Sequence, residues 1–349
     1  MPHDIRPLTE ADLPDLGRFL IAGFHAPADA PFAAADVLRW KYFDPRGVEA
    51  GNAPRSYLAR SAETGALVGH VGICPARFHG GGLGPEGVST MHMIDWLSSR
   101  AASGVGATLM RRAHQATDTQ YGFGGSADGR SVINRGGYEL IQYVPVYQRV
   151  LRPSYRWKTP GHGHVGRLLR VVKDAGGQLV RPVKRPRASV DLKPVVSFGD
   201  EMLTVAGRYE DRAVFTTREP ALLNHFLRYP RGGMTGWQIE HDDVIGFAVL
   251  SVVGQAGGAR VGKVVDCMLG ADDDALWHAA AVALTAELRR QGADLAQAFA
   301  ANDWSARAWR AAGYARVHDL DFRLRDRAGL VPCGRPLHLT PLEADYAYT

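Results

Sequence analysis

Apolar positions along the chain fall into two periods. Runs that alternate or stay apolar for five to eleven residues read as strands, and stripes at three- and four-residue spacing read as helices. An amphipathic helix ends at Pro45-Arg46-Gly47, and an alternating strand follows it. Next come a strand carrying Gly69 (ALVGHVGI), a buried strand (GVSTMHMIDWL), and a helix over 104–118. A further strand holding Tyr121 and a helix over 127–136 close on Asn134-Arg135-Gly136-Gly137-Tyr138. The same signals return in the same order. A helix ends at Pro230-Arg231-Gly232, and a strand carries Gly246 (DVIGFAVL). A buried strand (GKVVDCML), a helix over 273–291, and a strand and helix ending in Arg310-Ala311-Ala312-Gly313-Tyr314 complete the second set. Repetition of one βα unit predicts this order, and the expected class is α/β with a mixed sheet. The boundaries expected are 1–150, a basic linker 151–195, and 196–349.

Composition narrows the class. Apolar content of 46% with 22% charged residues belongs to a globular chain in a length, 349 residues, that accommodates two ordinary domains. No apolar run approaches the ~20 residues of a membrane span. The first residues, MPHDIRPLTEAD, lack the apolar core of a signal peptide. Cys74, Cys267 and Cys333 are odd in number and far apart, which fits a reducing cytoplasm and gives no metal spacing. The net charge of +5 is uneven: Lys and Arg crowd the stretch from Arg149 to Lys193, opposed there only by Asp174 and Asp191. Such a stretch is either a solvated linker or a contact for an anionic or membrane-associated substrate. Nucleic acid is not expected, because only Tyr155 and Trp157 could stack on bases.

One junction carries chemistry. Gly104-Val105-Gly106 lies between the buried strand and the helix after it, where bare N–H groups and the helix dipole favour an anion. No Gly-Lys-Ser/Thr follows, and Leu109 stands where a dinucleotide fingerprint needs its third glycine. The second half has Leu269-Gly270-Ala271-Asp272-Asp273-Asp274 at the matching place. Three carboxylates cap a helix well but repel a pyrophosphate. A coenzyme is therefore expected in the first half alone, with the second half shaping the acceptor site.

These segments resemble the GCN5-related N-acetyltransferase (GNAT) superfamily. Arg6 to Asp12 looks like its opening strand and capped helix, Leu67 to Gly72 like its third strand, and Asn134 to Tyr138 like its closing hairpin. Ile94 to Leu97 with Ser103 to Ala107 looks like its fourth strand and pyrophosphate loop, with Ala101 where the family has Arg or Gln and Arg100 beside it. The doubled pattern, the Trp40-Lys41-Tyr42 element and the acidic tail Leu337 to Tyr346 are similar to bacterial double-GNAT proteins. Those proteins are often placed in polysaccharide assembly and are related in shape to Fem-type peptidyltransferases and N-myristoyltransferases.

The resemblance implies acyl-CoA, most simply acetyl-CoA, held by Leu97, Ser99, Arg100, Ser103, Gly104, Val105, Gly106, Ala107 and Asn134. It implies that a main-chain N–H on the fourth strand polarises the thioester. Asp95 matches the family's position there, and burial would raise its pKa toward that of a base. Strand alternation places His92 on the opposite face from Asp95. Tyr121, Ser126, Asp128 and Ser131 are the nearby groups that could donate a proton, and Ser131 or Asn134 could instead bond the thiol or pantetheine. The expected activity is acetyl transfer to an amine of a small metabolite, amino sugar or sugar nucleotide. The alternatives are a Fem-like aminoacyltransferase using charged tRNA and a non-catalytic binding protein with a decayed loop.

Overall fold

Strands buried on both faces explain the near-continuous apolar runs. In the strand Ser56–Ser61 (β2), Leu58 packs with one helical layer while Tyr57 and Ala59 pack with another. The structure is a computed structural model that describes residues 3–47, 54–125, 127–153, 155–158, 183–255, 257–332 and 334–348. Ser126, Cys333 and the middle of the basic stretch, 159–182, lie outside the described residues.

The first half begins with His3–Pro7 (β1), and a turn in which Thr9 and Asp12 form a capping box leads into Leu13–Phe24 (α1). Ala35–Tyr42 (α2), β2, Leu67–Gly80 (β3) and Val88–Ser98 (β4) follow. Val105–Ala113 (α3), Thr119–Phe123 (β5), Ala127–Arg135 (α4) and Glu139–Val150 (β6) complete the half. The helix expected over 104–118 thus stops at Ala113. Gln115 and Ala116 bond back three residues, and the Thr117 hydroxyl ties to the Ser89 carbonyl at 3.0 Å, turning the chain into β5.

After the single turn Tyr155–Lys158 (α5), the second half runs Asp191–Val195 (β7), Glu201–Tyr209 (α6), Val214–Thr216 (β8) and Pro220–Leu227 (α7). Met234–His241 (β9), Asp243–Gly254 (β10), Arg260–Leu269 (β11), Asp274–Arg290 (α8), Leu295–Phe299 (β12), Asp303–Ala311 (α9), Ala315–Asp326 (β13) and Leu337–His338 (β14) end it. From β9 to β13 the element order repeats that from β2 to β6.

All strands join one mixed sheet in the order β1-β2-β3-β4-β5-β13-β6-β12-β11-β10-β9-β7, with β8 bridging β3 and β14. The halves exchange strands at its centre. β13, from the second half, lies between β5 and β6, while β6, from the first, pairs with β12. Phe322, Val144 and Val146 are buried in this exchange. The two Pro-Arg-Gly elements also meet. Trp40 of α2 stacks on the His225 ring of α7 (4.4 Å between centroids) and donates to the His225 carbonyl at 2.9 Å.

The paired glycines of β3 are explained by what lies over them. A Cβ on Gly69 would stand 2.6 Å from Val105, and one on Gly72 would stand 2.5 Å from the Tyr42 hydroxyl. Gly69 therefore seats α3 on one face, and Gly72 seats α2 on the other.

Candidate active site

β4 and β5 run parallel but share only one cross-strand pair, His92 with Tyr121, and then diverge. The divergence opens a cavity of about 500 Å³ lined along β4 from His92 to Trp96 and along β5 from Tyr121 onward, and closed by Phe24, Phe32, Asp345 and Tyr346. Because β5 leaves the edge of β4, successive β4 residues all reach the cavity. His92 and Asp95 therefore share it, contrary to the alternation expected of an unbroken ladder.

Asp95 has a left-handed backbone (φ 48°), and the β3–β4 register shifts where His70 pairs Leu97 but Gly72 pairs Ile94. This is a bulge, a device that re-aims side chains and interrupts pairing. His70 pins it. Its Nδ1 donates to the Asp95 carbonyl at 2.8 Å, so Nε2 is the acceptor and takes the Ser56 hydroxyl at 2.8 Å. Burial lowers the His70 pKa to about 4, so the ring keeps this neutral form at physiological pH.

The Asp95 carboxylate is almost fully buried, bonded to Lys41 Nζ at 2.8 Å and to the Tyr42 hydroxyl at 2.6 Å. Burial alone pushes its pKa up, but the Lys41 ammonium and the two hydrogen bonds together outweigh burial and hold it below the usual carboxylate range. The raised pKa expected for Asp95 is thus corrected: it is a fixed anion. Asp345 shows the opposite balance. Its burial and the facing Asp95 charge raise its pKa, against the lowering effects of Lys41 and Lys263. Asp345 was not among the expected groups, and the only sequence signal for it was the acidic tail.

The other expected residues have partners of their own. His92 is buried, its pKa lowered to about 4 by burial and by Arg46, and it stacks on Tyr121 with 5.1 Å between centroids. The Tyr121 hydroxyl donates to the Glu343 carbonyl at 3.0 Å, so its proton is committed there in this arrangement. Ser131 is exposed on α4, away from the cavity lining, and its hydroxyl accepts from Arg135 at 3.5 Å. Asn134 accepts from Arg323 of β13. Nothing is described of Ser126 or of the Asp128 side chain.

The loop after β4 ends in an uncapped glycine turn. Ser99 N–H bonds the Val68 carbonyl at 2.8 Å, and its hydroxyl accepts from Ala101 N–H at 3.3 Å. Gly104 caps α3 with a left-handed φ of 82°, offers no side-chain cap, and has open space where a Cβ would point. The first-turn N–H groups of Gly106 and Ala107 have no acceptor within the helix. Gly106 is tight, since a Cβ would lie 2.9 Å from Ser98 Oγ. Arg100 and Ser103 are exposed beside this turn. Val105 and Leu97 can contribute main chain alone: Val105 is in the core, and Leu97 packs over Gly23.

Sequence reasoning missed Lys41 and Tyr42 as site residues. Comparing the repeated elements could have found them, because Phe226 and Leu227 stand at the matching places.

No protein-family model matches the sequence, and no curated protein matches it. Solved structures do match in shape. N-myristoyltransferase of Saccharomyces cerevisiae with bound myristoyl-CoA superposes with a TM-score of 0.61 at 12% identity, over 93% of this chain and 84% of that one. A GCN5-related N-acetyltransferase from Anabaena variabilis gives 0.59 at 12%, over 93% and 72%. A putative acetyltransferase from Pyrococcus horikoshii gives 0.56 at 13%, over 99% and 95%. At these identities the likeness is one of architecture: the chain has a GNAT-like fold, with a large mixed sheet opened between β4 and β5.

Proposed function

We propose that the protein is an acyl-CoA-dependent N-acyltransferase acting on an amine of a small metabolite or amino sugar. The observation that carries this reading is the junction of three features on one strand. β4 diverges from β5 beside a cavity, bulges at Asp95, and leads into the glycine-capped α3. The bare α3 N-terminus suits the coenzyme diphosphate. The N-myristoyltransferase of similar shape was solved with myristoyl-CoA, which supports the donor class. The doubled element order supports a tandem arrangement in which the second half shapes the acceptor side.

The chemistry follows from the cavity's groups. An amine enters as an ammonium and must lose a proton before its nitrogen attacks the thioester carbon. Asp345 is the group suited to take that proton, since its raised pKa makes it the stronger base of the two facing carboxylates. Asp95 stays charged through Lys41 and Tyr42, and its fixed negative charge holds the incoming ammonium. A main-chain N–H at the bulge polarises the carbonyl, and the C–S bond breaks as the C–N bond forms. Tyr346, which lines the cavity, supplies a proton to the leaving thiolate.

Calorimetric titration with CoA and acetyl-CoA tests the donor site, with Gly104→Glu as the probe. A Cβ there meets open space, but the left-handed φ of 82° strains any side chain, so Gly104→Ala is the control that separates backbone strain from the added charge. Binding lost or weakened at least tenfold in the variant is expected. Equal binding by the two proteins would remove the diphosphate from α3, and no binding by the wild type would end the acyltransferase reading.

A further inference from the structure

We propose that the cavity takes a hydrocarbon acyl chain longer than acetyl, and that the stacked His92–Tyr121 pair is the stop that sets its greatest length. This deepens the acyl-CoA reading and rests on it. No residue of the cradle, 99–107, lines the cavity, so the diphosphate lies outside it and the reacting end of the donor lies inside. A space of about 500 Å³ suits a drug-sized ligand, far more than a two-carbon group needs. Its walls are apolar along much of their extent: Phe24 and Phe32 on one side, Met93 and Ile94 along β4, Phe123 and Ile133 opposite.

The floor is where the two strands still pair. The His92 and Tyr121 rings are nearly parallel, 6° apart, and the Tyr121 hydroxyl is anchored on Glu343. The same two side chains also face a second space of about 20 Å³ lined by Cys74, Ala76, Leu222 and Phe226, with Arg46 and Glu343 at its wall as well. One layer of rings therefore divides the large cavity, apolar along much of its wall, from a small void of mixed lining behind it. Burial keeps His92 neutral, so a hydrocarbon end meets no charge there. Removing the His92 ring joins the two spaces and extends the path of a chain.

The test is calorimetric titration of the whole protein with CoA and with acetyl-, butyryl-, hexanoyl-, octanoyl-, decanoyl- and myristoyl-CoA. Wild-type affinity is expected to rise up to about fourfold per methylene, then to fall at a limiting length. His92→Ala is expected to move that limit to longer chains, and His92→Phe, which keeps a ring, to leave it in place. Ile133→Trp, which narrows the cavity from α4, is expected to shorten it. Circular dichroism melting confirms folding, and should His92→Ala fail to fold, the wild-type profile and Ile133→Trp still decide. Affinity that is flat across the series, or highest for acetyl-CoA, would overturn the proposal while leaving the donor site intact. A limit unmoved in a folded His92→Ala would remove the pair as the stop. An apolar acceptor amine as the cavity's true occupant would give that flat profile. Failure of CoA and every acyl-CoA to bind would instead sink the underlying acyltransferase reading.

Discussion

The two halves use the same order of elements and treat the gap between their parallel strands in opposite ways. Between β4 and β5 there is a cavity of about 500 Å³, whereas beside β11 and β12 the space left is about 10 Å³. The second gap is filled from within by Trp277 of α8 and by the tail from His338 to Pro341. The helix caps differ in step. Gly104 leaves the α3 N-terminus bare, while Asp273 accepts from Ala275 N–H at 2.6 Å and closes that of α8. Each buried strand also carries a central aspartate. Asp95 is held by a lysine and a tyrosine beside open space. Asp266 is sealed with Arg218, Glu343 and Thr340, and both Arg218 and Asp266 side chains are wholly buried. One unit thus keeps an open cavity and the other is closed into core, and the same tail that plugs the second delivers Asp345 to the first.

That division can be broken from either side. The largest effect expected is on chemistry. Asp345→Asn should lower kcat by about 10²–10⁴-fold, and it should raise stability at pH 7 because it removes a buried carboxyl whose environment disfavours its charge. Steady-state rates with melting curves on one preparation check both signs. An unchanged rate would return the role of base to another group.

Next in size is the sealed side. Arg218→Met leaves Asp266 and Glu343 buried without their cation and should cost about 3–5 kcal/mol in urea unfolding. Lys41→Met should cost less, because Asp95 faces a cavity and can take a proton. Equal losses would mean that the two aspartates sit in equivalent surroundings.

The smallest effect is a pH dependence. Since the folded pKa of Asp95 is lowered, its contribution to stability is complete above the usual aspartate value of 3.8 and is lost as pH falls through the lowered folded value. In Lys41→Met burial is left largely unopposed and raises the Asp95 pKa, so the gap in unfolding free energy between wild type and variant should narrow as pH falls from that raised value to the lowered value of the wild type. A gap that persists at pH 2 would assign Lys41 a packing role alone.

How much of this was readable beforehand depends on the range of each interaction. The strand and helix around Asp95 and the bare glycine turn at 104–106 were legible, because periodicity and cap chemistry act within a few residues. The carboxylates before α8 read correctly as caps for the same reason. The roles of Lys41 and Tyr42 were hidden, since their partner Asp95 lies more than fifty positions along the chain. The protonation of Asp95 was misjudged on the same account: burial was visible in its apolar strand, but the ammonium that outweighs burial was not.

The sequence by itself determined the elements, their repeated order and the place of the bare glycine turn, all of which rest on local backbone preference and the spacing of apolar side chains. Only the tertiary structure decided the exchange of β6 and β13, the bulge that turns Asp95, and the tail's passage between the halves. Those features are fixed by pairing and packing between distant segments. Their energy comes from completing a sheet and filling a gap that no single segment contains.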